Sequence, residues 1–261
     1  MLDLVLRRQH MSVDDLVADL GVSAATVRRD LDDLANQQLL IRSRGGASAN
    51  LSAGALPLRY RAPAHSGAKT AIARYAAGLA RPGSVIGMNG GTTTTAVAQE
   101  LGSRPEFHDP DRTTTVVTNA VNIAQELAVR PHLQLVMTGG VVRERTFELV
   151  GDWAEGVLAQ VRLDLLFLGV NGIDVADGVT TVDQAEASVN ARLVERSARV
   201  VVVADASKVG RATFARICAL DHVDDLITDS RADPVVLADL TAAGVRIHRA
   251  DAPEESSLHV Q

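Results

Sequence analysis

A polar helix face near the amino terminus is the first part of the sequence that could do chemistry. Segment 23–47 reads SAATVRRDLDDLANQQLLIRSRGGA, and the Ser23 hydroxyl can cap a helix. Val27, Leu31 and Leu34 recur at intervals of four and three, which builds one apolar stripe. The opposite face offers short side chains and guanidinium groups. Its residues are Ala25, Thr26, Arg28 and Arg29. Such a face can enter the major groove of DNA.

A second helix precedes this one, and a strand-like segment follows it. Ser12 and Asp15 resemble a capping box, and Gly21 permits a short turn, so the order is helix, turn, helix. After Leu39 the pattern becomes strand-like, and Gly45 with Gly46 permits a tight reversal. Two further cations, Arg42 and Arg44, would then lie on a wing beside a phosphate backbone or a minor groove of DNA. Helix pairs with a serine cap occur in many folds, so spacing alone leaves a purely structural role open.

A second group of polar residues, NGGTTTT at 89–95, lies between an apolar strand and a helix. Two glycines let a ligand approach the backbone, while threonine hydroxyls and the N–H groups of a helix start can cradle an anion. The loop has neither the lysine of a Walker A motif nor the GxGxxG spacing. The alternative is a glycine turn whose threonines only cap the helix.

Short apolar strands alternate with helices after residue 65, which predicts a largely parallel sheet covered on both faces. The predicted strands are 85–88, 115–118, 133–137, 165–168, 200–204, 226–228 and 245–248. The predicted helices are 94–101, 120–128, 153–161, 186–197 and 234–243, after one from Ala68 that would bury Ile72, Tyr75 and Ala76. Ligands of such sheets bind beyond the carboxyl ends of the strands. The remaining strand ends carry TNA at 118–120, TGG at 138–140, GVNGID at 169–174 and ADASKVG at 204–210.

Both regions resemble the DeoR family of bacterial transcriptional regulators. The amino-terminal match is SVDDLVADLGVSAATVRRDLDDL followed by LLIRSRGGA, in which the VSxxT[VI]RRDL core is highly specific. The later match comprises the GTTT loop, TNxxNIAxEL at 118–127, GGxxR at 139–143, ELVG at 148–151 and DxSKxG at 205–210. The resemblance implies an α/β protein in which a winged helix-turn-helix is joined to a doubly wound sensor domain similar to the ribose-5-phosphate isomerase group.

The late start of the chain and three single positions depart from the family pattern. The chain starts late relative to the family, so either its first helix is expected to be short or its true start lies upstream of Met1. Arg44 replaces the usual histidine and keeps a cation, and Asn190 falls where a lysine is common. Asn89 replaces the usual aspartate, and because asparagine can donate as well as accept, its ligand group is expected to be more electron-rich.

The resemblance and the strand-end rule together give the predicted site residues. DNA contacts are expected from Ser23, Ala25, Thr26, Arg28, Arg29, Arg42 and Arg44. Effector contacts are expected from Asn89, Gly90, Gly91, Thr92, Thr93, Thr94, Asn119, Gly139, Gly140, Asn171, Gly172, Asp183, Glu186, Asp205 and Lys208. Lys208 is expected to meet a ligand oxygen while Asp205 or Asp183 accepts from sugar hydroxyls. A Lys208–Asp205 surface pair is the alternative.

The expected domains are a winged helix-turn-helix at 1–47, a linker at 48–57, an α/β effector-sensing domain at 58–250 and a disordered tail at 251–261. Residues 48–57 have the small-residue, Gly and Pro content of a linker. Residues 1–62 hold eight Arg and seven Asp within a chain of net charge −6, so DNA binding must depend on where the arginines lie.

Composition also limits the compartment and the chemistry. Cys218 is the only cysteine, which permits no internal disulfide and fits a small buried residue in a reducing compartment. No apolar run reaches the length of a membrane span, so a cytoplasmic protein without a membrane partner is expected. Lys69 and Lys208 are the only lysines, and Lys69 is expected on a helix surface without a special role.

The resulting expectation is a repressor of a carbohydrate-metabolism operon, at least a homodimer, that binds operator DNA and responds to a phosphorylated sugar. Neither a cofactor nor a metal is expected. The alternative is a sugar-phosphate isomerase or kinase-like enzyme with an accessory helix pair, in which Asp183, Glu186 and Lys208 could supply a base and an electrophile. Only that alternative requires turnover, whereas only the repressor requires the recognition helix and wing.

Overall fold

The structure, a computed structural model, describes residues 1–36, 39–49 and 65–250. The chain divides between Ser66 and Gly67 into two compact units. Residues 50–57 of the predicted linker and the predicted tail lie outside the described residues. Within the described ranges, no helix is both long enough and apolar enough to cross a membrane.

In residues 1–36 and 39–49, the amino-terminal unit combines three helices with a three-stranded antiparallel sheet of order β1-β3-β2. Its elements are α1 (Leu2–Arg8), β1 (His10–Ser12), α2 (Val13–Leu20), α3 (Ala24–Asn36), β2 (Leu40–Ser43) and β3 (Gly46–Ala49). Val5, Leu16, Val27 and Leu31 form its core and are fully buried. The Ser12–Asp15 capping box is present, with the Asp15 N–H 3.0 Å from the Ser12 hydroxyl.

Two features of this unit differ from the expectation. The three-residue strand β1 was not predicted, because its signal is too short to distinguish from a turn. Ser48 and Ala49, which the predicted linker included, belong to β3.

The second unit contains a seven-stranded parallel sheet of order β15-β14-β12-β9-β4-β5-β6. Its strands are β4 (Val85–Met88), β5 (Thr114–Thr118), β6 (Leu133–Met137), β9 (Leu165–Gly169), β12 (Val200–Val203), β14 (Asp225–Thr228) and β15 (Arg246–Arg249). All seven predicted strands are present and lie in this one sheet. The chain runs outward from β4 to β6 and then outward from β9 to β15, so the topological switch point lies between β4 and β9.

Between residues 65 and 250, six helices cover the sheet, and apolar residues form a separate core on each face. They are α4 (Ser66–Ala77), α5 (Thr92–Ser103), α6 (Val121–Leu127), α7 (Asp152–Leu158), α8 (Gln184–Glu195) and α9 (Pro234–Ala242). In β12, Val201 and Val203 face one core while Val200 and Val202 face the other. The two-core arrangement explains why this strand is a continuous apolar run.

Helix α4 differs from its prediction at two side chains. Tyr75, expected inside, is 40% exposed, and its hydroxyl lies 2.8 Å from His248 Nδ1. Lys69, expected on the surface, is only 6% exposed. Neighbouring alanines on this helix leave room for a long stem to be covered.

Two small sheets complete the unit and were not predicted. The hairpin β7 (Val141–Val142) and β8 (Leu149–Val150) follows the sheet strand β6. The strands β10 (Gly172–Asp174), β11 (Gly178–Thr181) and β13 (Ala215–Cys218) form an antiparallel sheet. Both small sheets attach short segments to the carboxyl edge of the large sheet.

Candidate functional sites

Helix α3 exposes the face that the sequence predicted. The Ser23 hydroxyl accepts a hydrogen bond from the Thr26 N–H at 3.1 Å, which confirms the predicted cap. Ala25, Arg28 and Arg29 are exposed, as are Ser23 and Thr26. Neither arginine forms an ion pair with any residue that the structure describes, so both guanidinium groups are available to a nucleic acid.

The wing arginines differ from each other. Arg44 is exposed in the turn between β2 and β3. Arg42 is partly exposed but bound to its own unit, because its Nε lies 2.8 Å from Asp32 Oδ1 and its Nη1 donates to the Gly46 carbonyl at 2.7 Å. Arg42 therefore braces the wing against α3, whereas Arg44 resembles the expected DNA-facing cation.

Gly45 and Gly46 of the wing are required for different reasons, one for backbone conformation and the other for space. Gly45 forms the turn with a φ of +79°, a conformation that favours glycine. Gly46, which was expected to share that turn, lies within β3, where an added Cβ would come 2.2 Å from the Met11 carbonyl oxygen. Close approach of β1 and β3 requires a glycine at position 46.

Asn89 joins two loops at the switch point of the large sheet. Its Nδ2 donates to the Gly169 carbonyl at 2.9 Å, and its Oδ1 accepts from the Gly169 N–H at 2.7 Å. The side chain is only 1% exposed. Asn89 thus clamps the loop after β4 to the last residue of β9. Its expected contact with an electron-rich ligand group stays a prediction.

The amino terminus of α5 opens at this switch point. Its first residue follows Gly91, which has a φ of +141°, and no side chain caps the helix. The Thr94 and Thr95 hydroxyls both donate to the Gly91 carbonyl, at 3.0 and 2.6 Å. The Thr94 hydroxyl is therefore already used. The backbone N–H groups of the first helical turn and the hydroxyls of Thr92 and Thr93 remain as donors toward an anion.

Glu148 lies against this loop and was not predicted as a site residue. It is 4% exposed, and its Oε2 accepts from Asn119 Nδ2 at 3.3 Å and from Asn190 Nδ2 at 3.4 Å. A Cβ added to Gly90 would come 2.6 Å from Glu148 Oε1, so Gly90 has no room for a side chain. The signal in the sequence that could have identified Glu148 is its charge directly before the two apolar residues of β8, Leu149 and Val150.

Glu186 and Asp183 are bound by neighbouring groups of the protein. Glu186 Oε1 accepts from the Thr146 hydroxyl at 2.6 Å, and Oε2 lies 3.4 Å from the Thr181 hydroxyl oxygen. Asp183 caps α8 by accepting from the Ala185 and Glu186 N–H groups and forms an ion pair with Arg143. The Asp183 carboxylate thus holds the start of α8 and Arg143, and its predicted acceptor role toward a sugar hydroxyl stays a prediction.

The remaining predicted residues lie at the same edge with mixed accessibility. Gly139 and Gly140 follow β6, have positive φ and are partly exposed. Gly172 is closed by the Arg211 carbonyl, which would lie 2.3 Å from an added Cβ. The Thr181 hydroxyl donates to Asn171 Oδ1 at 2.8 Å. Asp205 is buried and caps the short 3₁₀ turn Ala206–Lys208, whose last residue, Lys208, is partly buried.

Comparison with known proteins identifies both units. Residues 1–53 match the DeoR-like helix-turn-helix domain, and residues 64–230 match the DeoR C terminal sensor domain. The chain is 37% identical over 248 residues to the HTH-type transcriptional regulator GlpR of Haloferax volcanii, covering 95% of this chain and 94% of the relative. It is 32% identical to the glycerol-3-phosphate regulon repressor of Escherichia coli K12, covering 92% and 93%.

Among solved structures, the chain is similar to ribose 5-phosphate isomerase A from Methanocaldococcus jannaschii. The sequence identity is 18% and the TM-score is 0.38, with 54% of this chain and 52% of that chain covered.

The relatives that match along nearly their whole length are named as regulators and repressors, and their match includes the DNA-binding unit. This excludes the isomerase alternative. With two family domains in the expected order and the α3 face exposed, the chain belongs to the DeoR family of DNA-binding transcriptional regulators.

Proposed function

We propose that the protein represses a carbohydrate-metabolism operon and that a phosphorylated sugar changes its affinity for the operator. The names of relatives support this proposal: one is the glycerol-3-phosphate regulon repressor of Escherichia coli K12, and another is a putative aga operon transcriptional repressor of Escherichia coli O157:H7, 32% identical. The chain covers 93% and 89% of these relatives.

The DNA-binding part of the proposal is carried by the unpaired cations of the first unit. Arg28, Arg29 and Arg44 are exposed, and none forms an ion pair in the described residues, whereas Arg42 is bound by Asp32. Arg29 lies on the outward face of α3 and is assigned to a base edge, and Arg44 is assigned to a phosphate. A second subunit would supply the matching half-site contacts, so the operator is expected to be repeated or palindromic.

The effector part is carried by the uncapped start of α5 at the switch point. A helix amino terminus contributes roughly half a positive charge, and its free N–H groups point toward an anion. The switch point is where ligands of open α/β sheets bind. We assign the phosphate to the backbone of Gly90 to Thr94 and to the hydroxyls of Thr92 and Thr93. Lys208 is assigned to a ligand oxygen.

Replacing Arg29 tests the DNA-binding part. Arg29→Ala is expected to weaken operator binding by roughly 1–3 kcal/mol and to relax specificity at one base, because a bidentate base contact is lost. The measurement is the dissociation constant for the operator and for single-base variants at fixed salt. Arg192→Ala removes one exposed arginine from the second unit and serves as the control. Unchanged operator affinity in folded Arg29→Ala would contradict the placement of α3 in the groove.

Replacing Lys208 tests the effector part. Lys208→Met keeps most of the apolar stem and removes the charge. If Lys208 meets the ligand, the variant loses its effector response while operator binding and thermal stability remain. The effector is first found by screening phosphorylated metabolites for a rise in melting temperature, since a ligand that binds only the native state stabilises it. A full response at the same effector concentration would place Lys208 outside the site.

A further inference from the structure

The two outer strands of the large sheet differ in charge. The sheet ends at β15 on one side and at β6 on the other, and within the described ranges neither strand pairs with a further strand on its open side. Strand β15 has the sequence RIHR, and both arginines, Arg246 and Arg249, are exposed. Strand β6 has the sequence LQLVM, with no charged residue and no proline. Only β15 therefore carries the charges that prevent an outer strand from pairing with another chain.

The open side of β6 offers backbone groups to another strand. The Thr138 N–H donates to the Thr118 carbonyl at 3.0 Å, so the backbone groups of Val136, two residues earlier, also point toward β5. The backbone groups of Leu135 and Met137 point to the open side instead, because successive residues of a strand alternate in direction. An outer strand with such groups is a template on which a further strand can pair.

Exposed apolar side chains continue along this side of the sheet. Met137, the last residue of β6, is 48% exposed. The next strand along the chain, β7, exposes both of its residues, Val141 and Val142. In residues 65–250, β7 pairs only with β8, so its other side is open as well. The open side of β6 is therefore extended by a second uncharged strand.

The only tryptophan of the chain adjoins these strands. Trp153, in the first turn of α7, is 75% exposed. The next residue, Ala154, packs against Gly140 directly before β7, where an added Cβ would lie 3.4 Å from the Ala154 Cβ. Adjoining exposed apolar side chains mark an interaction surface, and Trp is enriched among the residues that dominate binding energy. We call this surface the β6 edge, and it consists of β6 with Met137, Val141, Val142 and Trp153.

We propose that the β6 edge binds the β6 edge of a second copy of this chain across a two-fold axis. Such an axis makes the two copies of β6 antiparallel and brings the same surface of each copy together. Like charges that face each other across paired strands are destabilising, whereas apolar side chains gain by contact.

Charge decides which outer strand meets this condition and which partner fits it. Two copies of β15 paired in this way would place Arg246 against Arg249, while two copies of β6 bring no charges together. A nucleic acid would require cations, which β6, β7 and Trp153 do not supply. The surface uses none of the residues assigned to DNA, to the phosphate or to the ligand oxygen, so the inference goes beyond the proposed function.

Fluorescence of the full-length wild-type protein tests the surface without any substitution. Because Trp153 is the only tryptophan, its emission reports on this surface alone. Dilution is expected to halve the mass measured by sedimentation and to shift the emission to longer wavelength, since Trp153 becomes exposed to water. Both changes should have the same midpoint in protein concentration. Constant emission while the mass halves would place the contact elsewhere and overturn the inference.

Two variants and a matched control assign the contact to the β6 edge. Met137→Arg places a cation from each copy in the interface and is expected to raise the dimer dissociation constant at least a hundredfold. Trp153→Ala removes the largest apolar side chain and is expected to raise it at least tenfold. The control is Val235→Arg, the same kind of change at a 68% exposed position of α9, which should alter the dissociation constant less than twofold. All three sites are exposed, so circular dichroism should show native folding.

The outcomes that would overturn the inference can be told apart. A wild-type protein that is monomeric at every concentration overturns it, and protection of Trp153 from acrylamide quenching in that monomer would mean that the same chain covers the edge. An equal dissociation constant in wild type, Met137→Arg and Trp153→Ala also overturns it, as does equal weakening by Val235→Arg. These measurements use neither operator nor effector, so the proposed function can stand when the inference fails.

Discussion

Asp225 illustrates how a single buried charge is maintained in this sheet. It begins β14, is fully buried, and lies 2.7 Å from Arg199 Nε, 3.1 Å from Arg246 Nε and 2.7 Å from His248 Nε2. Burial by itself raises the pKa of this carboxyl, but the hydrogen bonds from Arg199, His248 and Arg246 outweigh burial and lower its pKa to about 2. The group therefore joins three strands as an anion.

The lowered pKa of Asp225 predicts a loss of stability in acid. Because the folded pKa lies below the ordinary value of 3.8, the ionised group stabilises the native state above about pH 4, and this contribution disappears as pH falls toward 2. Asp225→Asn is expected to lower the free energy of unfolding at pH 7 by about 2 kcal/mol. Urea unfolding at several pH values measures the difference.

The expected pattern distinguishes this effect from a general loss of packing. The difference in free energy of unfolding between the wild type and Asp225→Asn should become smaller as the pH is lowered from 4 to 2. Asp221→Asn, at a side chain that is 79% exposed, should behave as wild type. If this difference in unfolding free energy stays constant with pH, the charge of Asp225 is not what stabilises the native state.

Cys218 is predicted to be unreactive in the native protein. It is buried in β13, and burial raises the pKa of its thiol to about 12, so almost no thiolate forms at neutral pH. A thiol reagent such as DTNB should label it slowly in the native chain and rapidly in denaturant. Rapid labelling without denaturant would contradict the buried position.

Single residues differ in how well the sequence predicts them. The Ser23 cap and the Ser12–Asp15 capping box depend on neighbours within three positions, and both predictions are confirmed. The partners of Asn89 and Asp225 are set by strands that pair far apart in sequence, so neither role is visible in a local pattern. Lys69 was misplaced for the same reason, since its burial depends on packing in three dimensions.

At the scale of elements, the wing gives the sharpest prediction. Gly46→Ala is expected to destabilise the amino-terminal unit by about 3 kcal/mol, because its Cβ would lie 2.2 Å from a carbonyl oxygen of β1. Gly45→Ala has open space around it and should cost only about 1–2 kcal/mol, from the strained backbone alone.

Hydrogen exchange in the full-length protein measures both changes. Backbone N–H groups of β1 and β3 should exchange faster in Gly46→Ala than in Gly45→Ala, and operator affinity should fall in the same order. Equal exchange in the two variants would show that β1 and β3 can separate without cost.

The predictability of an element follows its length and its burial. The seven strands of the large sheet are short apolar runs bounded by polar turns, and each was predicted to within two residues. Strands β7, β8 and β10 have two or three residues and are defined by their pairing, so no periodicity could reveal them. The hairpin of β7 and β8 places Glu148 against the glycine loop at Gly90. Because the hairpin was not predicted, the sequence prediction of the site lacked Glu148.

For the whole molecule, the proposed function requires coupling between operator and effector binding. An effector can shift operator affinity only if it binds the two conformational states differently, and the coupling is reciprocal. A tenfold change in operator affinity on saturation with effector therefore predicts a tenfold change in effector affinity on saturation with operator. Titrations in both orders measure the two ratios. Equal effector affinity with and without operator would rule out allosteric control.

The sequence predicts two domains because the first part has a helix-turn-helix pattern and the second part alternates apolar strands with helices, each with its own motifs. The order of strands, by contrast, required the structure. It determines that β4 and β9 are neighbours, and hence that the loops at 89–95 and 169–174 face each other. The residues of these loops could be nominated from sequence, but their partners could not.

The contact between Asn89 and Gly169 affects how fast the protein is chemically damaged over time. Asn-Gly pairs in chains are the usual sites of spontaneous deamidation, in which the backbone nitrogen of the glycine attacks the asparagine side chain. Asn89 precedes Gly90, yet its side chain is buried and held at both ends by Gly169, so it cannot rotate into the geometry of attack. The contact that joins the two loops thereby also slows deamidation at Asn89 for as long as the domain stays folded.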